Sequence, residues 1–165
     1  PRAVSPTSFY AMLSGGPSEA RVERLMNERL MNSSRFCIAP AGDFAGNRDA
    51  CYWGLPSIEA SDPAFPALGY WRGYIWGPMA LLTYWGLQNY DHVPLAQTGR
   101  RALCRQMTAL LLAKWREGAL VCENYHPAKG HLGCSPKGPG TNGAMKFYHW
   151  GALTGFISLV DAGYY

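Results

Sequence analysis

The sequence predicts an all-α protein, and three observations carry that expectation. Val22, Leu25, Met26 and Leu30 recur at helical spacing, with Glu19, Arg21, Glu23 and Arg24 on the opposite side. The segment from Met79 to Tyr90 is apolar on nearly every side, as in a helix enclosed by others, and across the short "DHV" it meets a second helical stretch. That stretch, from about Pro94 to Trp115, sets Leu103, Met107, Leu110 and Leu111 on one stripe with arginines opposite, while strand-like alternation is scarce throughout.

In chain order, "SPTSFYAMLS" forms a short apolar turn, Gly15-Gly16 breaks it, and Pro17-Ser18 starts an amphipathic helix of roughly three to four turns. Between Ser33 and Gly69 glycine, proline and aspartate recur too often for a long regular element, so a long loop region follows. Ordinary loops in compact domains stay below about 12 to 15 residues, and longer ones are commonly functional. Met79–Tyr90 and Pro94–Trp115 then form an αα-hairpin with an inner and an outer member. A Gly/Pro-rich loop through "SPKGPGTNGAMKF" leads to the mostly uncharged "YHWGALTGFISLVDAGYY", expected to be another inner helix. The long aromatic loops thus fall at the same ends of the inner helices.

A chain of 165 residues, 48% hydrophobic and 16% charged, has enough apolar material for one core, and it reads as one domain over 1–165. Aromatic residues reach 13%, more rings with polar handles than packing requires, which suits flat apolar ligand faces such as sugar rings or bases. The net charge of +4 does not predict a nucleic-acid partner, because Arg100, Arg101, Arg105, Lys114 and Arg116 read as one solvated helix face. No run approaches the about 18 apolar residues of a membrane span, so no membrane partner is expected, and nothing addresses the chain to a compartment. Asn32-Ser33-Ser34 is an N-glycosylation acceptor pattern that also arises by chance. Five cysteines without a CxxC pair announce neither a disulfide framework nor a zinc ribbon, and most are expected to be free thiols.

Chemistry concentrates in "VCENYHPAKGHLGC". Glu123 follows an apolar run and precedes Asn124, Tyr125 and His126, a setting in which a protein can tune a carboxyl group for acid or base work. The competing reading is a solvated loop glutamate. Cys122, His126, His131 and Cys134 offer the ligand types of tetrahedral zinc, but their spacing matches no usual finger and a helical core needs no metal, so neither metal nor cofactor is expected. In "YWRGYIW", Trp71 and Trp76 can lie beneath a pyranose ring while Arg72 donates to its hydroxyls; an aromatic plug at a helix entrance explains the same residues.

Taken in order, "SPTSFYAMLSGGPSEARVERLM", "YWGLPSIEASDPAF", "GYWRGYIWGPMALLTYWGL", "CENYHPAKG" and "YHWGALTG" resemble the C-terminal half of the catalytic domain of glycoside hydrolase family 63. That family includes processing mannosyl-oligosaccharide glucosidase and mannosylglycerate hydrolase. The resemblance implies an (α/α)6 toroid, of which this chain would form about half, and an inverting hydrolase of the α-glucosidase or α-mannosidase kind acting on an oligosaccharide or glycoside. It makes Glu123 the general base, places Trp71, Arg72, Tyr125 and Trp150 in the sugar pocket, and brings the loop of Trp53, Asp62 and Phe65 close to it. The general acid of the family is an aspartate in the other half of the barrel, ahead of the first matching segment. A twelve-helix ring needs on the order of 250 to 300 residues. The chain is therefore expected to be inactive alone and to work with the missing half or a partner chain. The alternative is a carbohydrate-binding pseudoenzyme module without turnover.

Overall fold

A computed structural model describes residues 3–38, 51, 53–135 and 143–165. At its centre is α2 (Gly77–Gln88), which begins where Pro78 can fill the first turn without a missing donor mattering, just after the extended Trp76. Because this segment has no polar side, it is enclosed by the 3-10 helix Pro6–Ser14, by α3 (Pro94–Gly118) and by α4 (His149–Asp161). Ala80, Leu81, Tyr84 and Leu87 of α2 meet Phe9 and Met12 in the core. The expected inner helix is thus present, within two residues of its predicted ends.

The chain turns at Tyr90 and Val93, whose N–H groups reach Leu87 and Tyr90 carbonyls at 3.0 and 2.8 Å, and α3 returns alongside α2. Pro94 opens α3, and Ala119 closes it in the left-handed conformation with its N–H on the Trp115 carbonyl at 2.7 Å. Leu103, Met107 and Leu110 are buried as the stripe requires, whereas Leu111, expected on the same stripe, is only half-buried. The charged side departs from expectation at two positions. Arg100 and Lys114 are not solvated: Arg100 pairs with Asp91 at 2.8 Å and with Asp161, and the 4% exposed Lys114 donates to Glu117 at 2.9 Å and to the Cys134 carbonyl at 3.3 Å. A stripe count sees only which way Cα points and not the reach of a long side chain folded back to a partner.

The amphipathic N-terminal helix, α1 (Glu19–Leu25), runs into a π-helical turn over Met26–Leu30 that ends with Met31 N–H on the Met26 carbonyl at 2.9 Å. Val22, Met26 and Leu30 are buried, and Leu25 packs partly against the core. Two two-residue strands, β1 (Val121–Cys122) and β2 (Ala144–Met145), pair antiparallel with Val121 opposite Met145. Described parts of the expected loop region are irregular apart from the 3-10 turn Phe65–Ala67; residues 39–50 and 52 of it lie outside the described residues. No described helix is long and apolar enough to cross a membrane.

The expectation of free thiols is overturned. Cys37 joins Cys51, Cys122 joins Cys134, and Cys104 is a buried free thiol on α3. The bonded partners stand 14 and 12 residues apart, spacings that match no motif and become meaningful only once the loops fold back. Each closes a loop whose constraint is worth about 3 kcal/mol in a chain-entropy account.

Glu59 anchors the described part of the loop region. Its side chain, 8% exposed, accepts from Arg29 at 2.8 Å and Arg35 at 2.5 Å, and Ser61 adds a bond at 2.9 Å. Burial pushes this carboxyl up, but Ser61 and the two guanidiniums more than offset that and hold it below its ordinary value of 4.5. A depressed folded-state value adds stability above the unfolded value, lost as pH falls through the folded one. Glu59→Gln is therefore expected to lower unfolding free energy by about 2 kcal/mol at pH 7, allowing for the partly solvated arginines. In urea titrations the gap between variant and wild type should narrow as the pH drops below about 4.

Candidate functional site

The site is assembled by two loop segments that pair through one residue each. Ile75 N–H reaches the Tyr125 carbonyl at 2.9 Å and Tyr125 N–H reaches the Ile75 carbonyl at 3.0 Å. This bridge lays residues 70–76 against 121–126, although they are far apart in the chain. Ser57 braces the other side: its N–H donates to the Tyr74 carbonyl and its Oγ accepts from Gly73 N–H, both at 2.9 Å. The Trp76 indole N–H closes the turn on the Tyr70 carbonyl at 3.0 Å. Two glycines then let the helix ends come close. A Cβ on Gly77 would lie 2.0 Å from the Trp150 carbonyl oxygen, and one on Gly151 would lie 1.7 Å from that of Cys122.

Glu123 follows β1 directly, its N–H held by the Gly143 carbonyl at 2.9 Å and its side chain buried to 8% exposure. The reading as a solvated loop glutamate is thereby excluded. The Tyr70 hydroxyl donates to Glu123 Oε1, and the Tyr148 phenol is near enough to feel the same carboxylate. That donation to Glu123 is the main cause pushing the Tyr70 phenol up to about 12. Burial and then the nearby Glu123 carboxylate raise Tyr148 as well. A carboxylate so placed can accept a proton from water.

Beside it stands a wall of indoles. Trp71 stacks on Trp76 with centroids 3.7 Å apart at 15°, Trp150 lies 5.9 and 5.5 Å from the two, and Tyr70 meets Trp76 edge-on at 4.7 Å. Trp76 is fully buried whereas Trp71 is 40% exposed, so one indole of a rigid stack is offered to solvent. Such a surface suits the apolar face of a sugar.

The remaining expected residues are placed elsewhere or differently. Tyr125 is fully buried beneath the bridge and supports the site from within the core. Arg72 is exposed and folds its guanidinium against Gly69. Trp53 covers Gly130 and meets the His131 ring edge-on at 6.1 Å, and its backbone N–H donates to the Pro127 carbonyl. Asp62 accepts from Ala64 N–H at 2.8 Å, shaping the turn before Phe65. The zinc reading fails on its sulfurs, since Cys122 and Cys134 are bonded to each other. His126 Nδ1 also accepts from the Ala128 and Lys129 N–H groups at 3.0 and 3.1 Å, making it a turn staple. Tyr70 and Tyr148 escaped the sequence reading; the only signal was that they stand one and two residues before Trp71 and Trp150 in "YWRG" and "YHWG".

Comparison with known proteins places the chain in the class of glycoside hydrolase domains, a class with which its all-α scaffold, buried Glu123 and stacked indoles are compatible. The family model described as mannosylglycerate hydrolase MGH1-like glycoside hydrolase domain matches residues 2–150, and the chain belongs to that family. Two relatives from Selaginella moellendorffii, mannosylglycerate hydrolase MGH1 and mannosylglycerate hydrolase MGH2, are each 40% identical over 53 residues. That stretch covers 32% of this chain and 11% of either relative's length.

The close crossing at Gly151 is directly testable. Gly151→Ala should lower unfolding free energy by about 2 to 4 kcal/mol, because the obstructing atom is backbone and cannot swing aside. Gly118→Ala, whose new Cβ would meet Leu120 side-chain atoms at 3.6 Å, should stay within about 1 kcal/mol of wild type in the same denaturant titration.

Proposed function

We propose that this chain supplies the general base and one wall of the sugar pocket in an inverting glycoside hydrolase of family 63, as about half of an (α/α)6 barrel. The observation that carries the reading is Glu123: nearly buried, held by the Tyr70 hydroxyl, and joined through the Tyr70 ring to the stacked Trp76 and Trp71. In the proposed step Glu123 removes a proton from water as the water oxygen attacks the anomeric carbon. The glycosidic C–O bond breaks on the opposite face, where a carboxylic acid about 6.5 to 9.5 Å away protonates the leaving oxygen.

That acid comes from a further part of the longer protein or from a partner chain. Other buried or paired carboxylates among the described residues are committed elsewhere: Glu59 to two arginines, Asp62 to a turn, Asp91 and Asp161 to Arg100, Glu117 to Lys114 and Glu19 to His92. The outer side of α3 and α4 supports the same view. Leu112, Phe147 and Leu159 are 40%, 71% and 44% exposed and border an apolar cavity of about 500 Å³, the kind of face that neighbouring hairpins of a helical ring would cover. For the substrate, the names of the relatives point to a mannosyl group joined to a small hydroxy acid such as glycerate.

The test uses the complete protein. Glu123→Gln should reduce kcat on mannosylglycerate and on α-glucosyl substrates by about 10² to 10⁴-fold while sugar binding persists. Proton NMR of the fresh wild-type product should show the inverted anomer. Unchanged turnover in the variant would sink the reading. Sugar binding without turnover in the wild type would instead establish a carbohydrate-binding pseudoenzyme.

A further inference from the structure

The two most buried glutamates of this protein are held by different chemistry. Glu59, 6% exposed, is gripped by two guanidiniums, whereas Glu123, 8% exposed, is gripped by the Tyr70 phenol and has the Tyr148 phenol near it. A guanidinium neutralises the carboxylate it holds and makes it a poorer proton acceptor. A phenol O–H orients a carboxylate without bringing a counter-charge. Resting on the reading of Glu123 as the base, we infer that Tyr70 and Tyr148 are positioning residues for the hydrolytic step, a pair of neutral donors that aim the Glu123 carboxylate while leaving its charge available to water.

Both phenols are themselves held by elements that do not depend on Glu123. Tyr70 lies edge-on to Trp76 at 4.7 Å and to Trp71 at 5.9 Å, and its carbonyl is tied to the Trp76 indole N–H. Tyr148 is the extended residue just before α4, stacked on His149 with centroids 5.8 Å apart. The carboxylate is therefore reached from two chain segments on either side of it in sequence, one before α2 and one before α4. A glutamate with three side-chain torsions needs such support to present one oxygen to water in a fixed direction. Both phenols are also pushed above their ordinary range, so they stay protonated and remain donors at any working pH near neutrality. Occupation of Oε1 by Tyr70 leaves the carboxylate's remaining lone pairs for the attacking water.

Kinetics of the complete protein and spectroscopy of this chain test the idea together. Tyr70→Phe and Tyr148→Phe should each lower kcat roughly tenfold with KM within about twofold, as expected for losing a hydrogen bond to a charged group used in the chemical step. Adding Tyr70→Phe to Glu123→Gln should cost nothing further, because the phenol acts only through that carboxylate. In this chain labelled with 3-fluorotyrosine, 19F signals assigned by the two Phe variants should titrate at lower pH once Glu123→Gln is introduced. Wild-type kcat in Tyr70→Phe and Tyr148→Phe, an undiminished loss in the Glu123→Gln background, or 19F titrations unmoved by Glu123→Gln would each overturn the inference. If Glu123→Gln abolishes turnover while both Phe variants retain it, only the positioning role fails; if Glu123→Gln itself retains turnover, the reading of Glu123 as base fails and the positioning role with it.

Discussion

Two backbone hydrogen bonds between Ile75 and Tyr125 are the constraint on which the site depends. Buried peptide groups must find partners, and an irregular loop has no helix or broad sheet to supply them. Here each loop satisfies the other, both residues are fully buried, and Pro56 extends the pairing on the far side of Ile75. The register of that single bridge decides which side chains meet. With Ile75 opposite Tyr125, Tyr70 at one end of its turn reaches Glu123 two residues before the bridge partner. A slip of one residue would reverse the sides on which the neighbouring groups point and part the phenol from the carboxylate.

The helices beneath keep that register from drifting. At the end of α2 away from the site, Tyr84 donates to Asp161 of α4 at 2.7 Å while Arg100 of α3 bonds Asp91, Asp161 and the Tyr84 hydroxyl. Burial and the bond to Asp161 push the Tyr84 phenol up, and its hydroxyl is a neutral member of the cluster. One polar cluster thus ties three helices at one end, and the glycine crossings of Gly77 and Gly151 tie α2, α4 and β1 at the other. With both ends fixed, Trp76 before α2 and Tyr148 before α4 are placed by rigid elements and not by loop sampling.

Much of this was legible in the residues, for reasons that differ by feature. Periodicity exposes α2 and α3 because burial selects side chains at a fixed repeat, and the "YWRGYIW" and "ENY" motifs single out Trp71, Trp76 and Glu123 because few other roles need those residue types so close together. Contacts across the chain left no such trace. Tyr70 and Glu123 are 53 positions apart, and nothing in either segment names the other. The disulfide partners likewise meet only through loop geometry, and Arg100 and Lys114 look like surface residues until their partners arrive from α4 and from the loop at Cys134. Tyr125 is the instructive reversal: its motif suggests a pocket wall, yet the bridge needs its backbone so deep that its ring is enclosed in the core.

The wall itself shows how burial and exposure divide labour. Trp76 is enclosed and Trp71 is stacked upon it at 3.7 Å, so the exposed indole has no freedom to flip or tilt without breaking a buried contact. A surface tryptophan on a mobile loop would lose rotamer entropy on meeting a ligand, a cost of about 0.5 to 1.5 kcal/mol for each ordered side chain. Stacking on a buried partner meets that cost during folding. The same holds for Glu123, which the Tyr70 hydroxyl orders before any ligand arrives. Platform and carboxylate share one support, since the Tyr70 ring packs on Trp76 while its hydroxyl holds Glu123. A displacement of Tyr70 would therefore disturb the flat surface and the ionisable group together, which makes this tyrosine the mechanical link between the two.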